Sequence, residues 1–281
     1  MNSKPKYYLL FLFFFLVSPI YSAELNNSLT FGSVAMDIPA VMHKRLTPLT
    51  RYLSEKLDMP VNLQLSPNMG VAINQSASGE VDLAYLTPVA YLKAHQKGNI
   101  KLVAKTVTNG KASFKLMIVV RESSHYKNIF DLINKSFAFG DKAALLQHAT
   151  VVSSGLKFED FSHYQFLGHY DNISRAVLNG DFDAGILKDT MAYQWQGKGL
   201  RILYSSPALP PYNIAANGNL SPELFNKIKK AFLELDKKNP QHLMIIKALD
   251  KKYDGFAATK DNEYDVVRRL IAPFNNPGTR D

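Results

Sequence analysis

Asp181, Asp183 and Asp189 are the carboxylates whose grouping admits acid–base work. Asp181 and Asp183 follow Gly180 and serve a turn, which leaves Asp189 as the one that faces a cleft. His163 and His169 flank a short strand, and none of the seven histidines is paired at the three- or four-residue spacing of helical metal ligands. There is no glycine-rich phosphate loop, no dinucleotide fingerprint, no nucleophile elbow and no cysteine. The chemistry on offer is therefore binding rather than turnover, and the residues call for no cofactor and no metal.

The best binding feature is a junction. Val81 to Leu86 reads as a short buried strand that stops at Thr87-Pro88 and hands over to a helix carrying Tyr91 and Leu92. Threonine caps such a helix and proline fits its first turn, where no backbone donor is needed. The helix start presents unpaired N–H groups and a partial positive charge to a polar or anionic ligand. The preceding Gly79-Glu80-Val81-Asp82 has an echo in Gly180-Asp181-Phe182-Asp183, again followed by an apolar strand and a helix. Two similar lobes, each offering one strand-to-helix junction to a shared cleft, account for the echo.

The elements around these junctions alternate. Leu29–Val34 is a first strand, Arg45–Leu57 an amphipathic helix with Leu46, Leu49, Leu53 and Leu57 on one face, and Val61–Leu65 a half-buried strand. Asn68 caps the next helix. Lys101–Val107 is a strand, and Phe114–Val120 is a longer one, apolar enough to be buried on both faces. A crossover between these two divides the chain into a first lobe (24–110) and a second (111–205). In the second, Ile129–Leu132 starts a short helix, Ser136–Phe139 is a strand, and Asp141 caps a helix through Lys142, Ala143 and Leu146. Tyr164–Leu167 and Leu200–Tyr204 are further strands. A proline-stiffened connector, Ser205 to Asn213, returns the chain to the first lobe for residues 206–281, where Ser221-Pro222 starts a helix and another follows Pro240. This order predicts an α/β fold of mostly parallel sheets flanked by helices.

The N-terminus gives the expected compartment. Lys4 and Lys6 precede an apolar run from Tyr7 to Val17 and small residues at Ser22-Ala23, the pattern of a cleaved signal peptide over residues 1–23. The run is shorter than the roughly 20 apolar residues that span a bilayer. A cysteine-free exported chain suits a bacterial periplasm. Loss of Lys4 and Lys6 takes the formal charge from +9 to +7, two lysines fewer, which favours anionic ligands. No dense basic run points to nucleic acid.

Taken in order, several of these segments resemble the phosphate/phosphite/phosphonate-binding proteins of ABC importers, two-lobed periplasmic binding proteins of type II. They are Phe31-Gly32, Val81-Asp82-Leu83-Ala84-Tyr85-x-x-Pro88, Phe114–Val120 before Arg121, Gly168-His169, Leu178-Asn179-Gly180-x-x-Asp183 and Ser206-Pro207-x-x-Pro210. The resemblance implies a periplasmic solute-binding protein, not an enzyme, that closes two lobes over a small anionic ligand. It also implies delivery to an importer permease; docking on a membrane sensor such as a kinase or cyclase, and an enzyme on the same fold, stay open as alternatives. A monomer is expected. In the family a Ser-Thr-Ser-Gly helix start in the second lobe grips the phosphonate oxygens; the corresponding stretch here is Asp141-Lys142-Ala143-Ala144, without a hydroxyl. A family tyrosine falls at Met69 and a family acid at Tyr212, whereas Phe114 and Asp189 keep an aromatic and an acidic position. The expected ligand set is Tyr85, Thr87 and the N–H groups after Pro88 from the first lobe. Phe114, Lys142, the Ala143 N–H, His169, Lys188 and Asp189 complete it, with Lys188 replacing the missing hydroxyls by direct charge.

Overall fold

The computed structural model describes residues 28–33 and 38–274; the leader read at 1–23 and the tail from Asn275 lie outside the described residues. Strand β1 (Leu29–Ser33) leads through α1 (Pro39–Leu57), β2 (Val61–Leu65), α2 (Met69–Ser78), β3 (Leu83–Leu86) and α3 (Pro88–Lys97) to β4 (Ile100–Thr108). The chain then crosses to β5 (Leu116–Arg121), β6 (Ser136–Phe139), α4 (Leu145–Ser153), β7 (His163–Phe166), α5 (Tyr170–Asn179), β8 (Ala184–Lys188), α6 (Asp189–Trp195) and β9 (Leu200–Ser205). It returns through β10 (Asn213–Asn217), α7 (Pro222–Leu233), α8 (Pro240–Leu249), β11 (Tyr253–Ala257) and α9 (Asp265–Ile271).

The strands form two sheets, one in the order β11-β4-β10-β3-β1-β2 and the other β7-β6-β8-β5-β9. Each sheet with its helices is a lobe. Pairing is parallel where a helix crosses over between strands, as in β1 with β2 and β3, and β6 with β7 and β8. Strands β5 and β10 run antiparallel to both neighbours and β11 runs antiparallel to β4, while the remaining strands of each sheet share one direction, so each sheet is mostly parallel, as expected. No helix among the described residues is long and apolar enough to cross a membrane.

Local chemistry explains the element ends. Helix α1 buries Met42, Leu46, Leu49, Leu53 and Leu57 as one stripe, and it begins at Pro39, ahead of the expected Arg45, because proline suits a first turn. Asn68 accepts from the Val71 N–H and Thr87 from the Ala90 N–H, capping α2 and α3. The continuous apolar run Leu116–Val120 is buried at every residue, as a strand covered on both faces must be. Helix α4 departs from expectation. Asp141 does not cap it: the carboxylate takes the Ala143 N–H at 2.7 Å and the Asp141 carbonyl takes the Ala144 N–H at 2.9 Å, closing a turn that delays the helix to Leu145.

The sequence echo is a structural one. Gly79 and Gly180 both end a helix with positive φ, 77° and 90°. Three residues on, Asp82 accepts the Thr30 N–H of β1 at 2.8 Å, and Asp183 accepts the Ser136 N–H of β6 at 3.0 Å. In each lobe, then, an aspartate ties the start of one parallel strand to the next.

Two chain segments cross between the lobes, 109–115 outward and 206–212 back. They are joined midway, where Phe114 and Leu209 exchange both backbone hydrogen bonds, at 2.9 and 2.8 Å. Helix α9 adds a third link, since it follows β11 of the first lobe yet packs against α4 of the second as well as α3.

Candidate functional site

The cleft lies where the β3–α3 and β8–α6 junctions face the crossovers. Its first-lobe wall is phenolic. Tyr85, near the end of β3, is buried and its hydroxyl meets that of Tyr253 from β11 at 2.6 Å. Tyr212 of the return crossover stacks on Tyr85, with ring centroids 5.2 Å apart and planes inclined by 29°. Burial raises the pKa of all three phenols, Tyr253 to about 12. Each therefore stays a neutral hydroxyl at physiological pH.

From the second lobe, Tyr170 at the start of α5 lies near enough to Tyr212 for the two phenols to sense each other. Burial pushes the Tyr170 phenol to about 12, and the Gln147 amide lies 3.4 Å from its hydroxyl. Gln147 also accepts the Gly140 N–H at 2.8 Å, fixing the end of β6.

Lys188 is a half-buried cation of the cleft. Its ammonium sits 5.0 Å above the centre of the Phe114 ring, a cation–π contact, and it makes no ion pair among the described residues. Burial lowers its pKa, while the carboxylates of Asp189 and, across the cleft, Asp250 pull it back up. A cavity of about 160 Å3 opens beside it, lined in part by Ser113, Phe114, Lys188, Asp189, Thr190 and Tyr193.

Asp189, the next residue, is held by backbone donors. Its carboxylate accepts from the Lys115 N–H at 3.0 Å and the Thr190 N–H at 2.7 Å, and its own N–H donates to the Lys115 carbonyl. That cradle keeps the negative charge hydrogen-bonded beside Lys188 without drawing the ammonium into a salt bridge.

The remaining expected residues are placed less favourably. The Tyr85 hydroxyl is engaged with Tyr253, and the Thr87 oxygen is engaged as a helix cap, though its proton remains free to donate. The Ala143 N–H is taken by Asp141, so it is not an open donor, and Lys142 is exposed on the same turn. His169 is exposed at the head of α5 and forms no cap bond with its side chain. The structure thus brings Phe114, Lys188 and Asp189 together at one cavity and leaves Lys142 and His169 on the surface. It also adds Tyr253 from β11, Tyr170 from the start of α5 and Gln147 from α4, which tertiary packing brings in and which give no signal in the sequence. Among the described residues no group of three His, Asp or Glu is placed to hold a metal.

Residues 31–264 match the family described as "ABC transporter, phosphonate, periplasmic substrate-binding protein". The chain belongs to that family. Among curated members of this type it is similar to the phosphonates-binding periplasmic protein of Escherichia coli, 24% identical over 91% of this chain and 79% of that one. It is also similar to the phosphate-import protein PhnD of Mycolicibacterium smegmatis, 22% identical over 87% of this chain and 85% of that one. Among solved structures, PhnD1 from Prochlorococcus marinus in complex with methylphosphonate superposes with a TM-score of 0.69 at 22% identity, covering 89% of this chain and 98% of that one. That likeness is one of fold. It gives this substrate-binding protein the two-lobed architecture in which the cleft lies between the sheets.

Proposed function

We propose that this substrate-binding protein captures a small phosphate- or phosphonate-like oxyanion between its lobes and passes it to the permease of an ABC importer. The observation that carries the reading is Lys188: a half-buried ammonium, without an ion-pair partner among the described residues, beside a cavity between the crossover and α6. An anion there gains a charge-assisted hydrogen bond, and Phe114 keeps the site partly dry. Thr190 and Ser113 line the same cavity and supply hydroxyl donors. Lys188 takes over the part that a hydroxyl-bearing helix start plays in the family, which suits an α4 whose first turn is closed by Asp141.

The lobes swing about the paired crossovers, so that closure desolvates the anion and completes its contacts from both sides. Residues 1–23 act as the export signal, and the mature protein works in the periplasm as a monomer. The name of the Escherichia coli relative points to phosphonates and that of the Mycolicibacterium relative to phosphate. Both suit a cationic anchor.

The test is a melting-temperature screen of the purified protein with phosphate, phosphite, methylphosphonate and sulfate, repeated on Lys188→Ala. Binding to the folded state alone raises the midpoint by mass action, by about 2.7 kcal/mol at a hundredfold excess over Kd. A rise with one oxyanion that vanishes in Lys188→Ala is the expected result. No rise with any of the four retires the oxyanion reading, and a rise that survives in Lys188→Ala retires Lys188 as anchor.

A further inference from the structure

The cavity beside Lys188 spans both lobes. Thr108, which ends β4, and Lys111 of the outgoing crossover line it from one side, and Thr190 and Tyr193 of α6 from the other. An anion seated there meets two lysines, Lys111 and Lys188, and neither has an ion-pair partner among the described residues. The lining also includes the Asp189 carboxylate, but both of its oxygens already accept backbone N–H groups, of Lys115 at 3.0 Å and Thr190 at 2.7 Å.

Lys111 is carried by a turn with little freedom. Asn109 and Gly110 both take positive φ, 50° and 74°, as the central residues of the tight hairpin turn that Asn-Gly favours. Thr108 and Lys111 close it by exchanging both backbone hydrogen bonds, at 2.9 and 3.0 Å. The Gly110 N–H donates to the Asp254 carboxylate of β11 at 2.6 Å, and Asp254 is held in turn by Lys247, 3.7 Å away. Residues opposite each other in such a pair project to one side, which is why Thr108 and Lys111 line the same cavity. On the facing wall the Lys188 ammonium is held over the Phe114 ring.

We propose that Lys111 is a second cationic anchor of this cavity, and that the two lysines together select oxyanions with two negative charges over singly charged ones of the same shape. The inference rests on the oxyanion reading of the cavity and adds to it a residue and a charge class. Two ammonium groups flanking one small cavity repel each other until an anion lies between them. A monoanion offsets one of them, whereas a dianion offsets both. The hydroxyls of Thr108, Ser113 and Thr190 recognise oxygen atoms without distinguishing these charges. One lysine belongs to the turn that leaves the first lobe and the other to the second lobe, so a dianion held by both also bridges the lobes. Charge selection and closure are then one event.

Titration calorimetry in mildly alkaline buffer tests this with phosphate and methylphosphonate, both then largely dianions, and with methanesulfonate, a monoanion of the same shape as methylphosphonate. The wild type is expected to prefer the dianions. Lys111→Gln keeps the length of the side chain and loses its charge. It should weaken dianion binding ~10-fold, the lower end for a charge-assisted bond because Lys111 is exposed, and weaken the sulfonate less. Lys111→Arg should restore the preference. A dianion-to-monoanion affinity ratio that is the same in the wild type and Lys111→Gln overturns the proposal, as does a loss that Lys111→Arg leaves in place. The two readings fail differently. Wild type that binds none of the three overturns the oxyanion reading and this proposal with it; dianion binding that needs Lys188 and not Lys111 overturns this proposal alone.

Discussion

The hydroxyls of Tyr85 and Tyr253 lie 2.6 Å apart, one on β3 and the other on β11, with two strands between them in the sheet. One hydroxyl donates and the other accepts, so each satisfies its neighbour in a place that water does not reach. Tyr85→Phe or Tyr253→Phe leaves the other oxygen unpaired and should cost about 1–3 kcal/mol in urea denaturation. The double variant should cost less than the sum, because no hydroxyl is then left alone.

The same pair sets an alkaline limit. Burial raises both phenols above their ordinary value of 10.0, Tyr253 to about 12. A raised pKa means that the folded state favours the neutral phenol. That contribution is complete below pH 10, and it is lost between pH 10 and about 12 as the unfolded chain ionises first and the native phenol follows. Unfolding midpoints followed from pH 8 to 12 should fall in that window, and the double Phe variant should fall less.

Lys188 is expected to trade stability for binding. Burial lowers its pKa, so the charged lysine is held at a cost in the ligand-free protein. Lys188→Met should leave the melting temperature unchanged or raise it. Its anion affinity should drop ~10- to 100-fold, the worth of a charge-assisted bond of about 1.5–3 kcal/mol. In the wild type, affinity should decline as pH rises through the lowered lysine pKa, below the ordinary 10.5, because the anion needs the protonated form. Titration calorimetry between pH 7 and 10 measures it.

Asp183 is expected to matter for folding and not for the ligand. Burial works against its charge, but the Ser136 N–H and hydroxyl, the Tyr126 hydroxyl and Arg121 outweigh it and hold the carboxyl below its ordinary range. A lowered pKa stabilises the fold above the unfolded value of about 4 and ceases to do so as pH falls through the native one. Asp183→Asn should lose about 1–3 kcal/mol at pH 7, and the gap to wild type should narrow below about pH 4. Anion affinity should not change.

The echo around Asp82 and Asp183 was legible in the sequence because the same local job recurs: glycine ends a helix with positive φ, and three residues on an aspartate receives a backbone N–H near the start of a neighbouring strand. Caps at Asn68, Thr87 and Ser221 were legible for the same reason, since each is decided within four residues. The phenolic wall was not. Tyr85, Tyr212 and Tyr253 meet only because β10 and β4 lie between β3 and β11, an order no local pattern states. Strands β10 and β11 themselves were missed, as Asn-Ile-Ala-Ala-Asn and Tyr-Asp-Gly-Phe-Ala carry neither alternation nor a β-branched run. At Asp141 the local signal misled. Aspartate caps helices and closes turns with the same oxygen, and here the turn prevailed.

Helix α9 bears on the order in which the chain becomes a protein. It is the last α-helix among the described residues, and it packs on both α3 and α4. Val267 and Ile271 belong to the apolar cluster that includes Tyr91 and Ala149. Chains fold domain by domain as they are made, the N-terminal part first. Here the second lobe is inserted in the first, and the piece that covers α4 follows both in the chain. Without that piece, apolar residues of α3 and α4 in the same cluster would lose their cover.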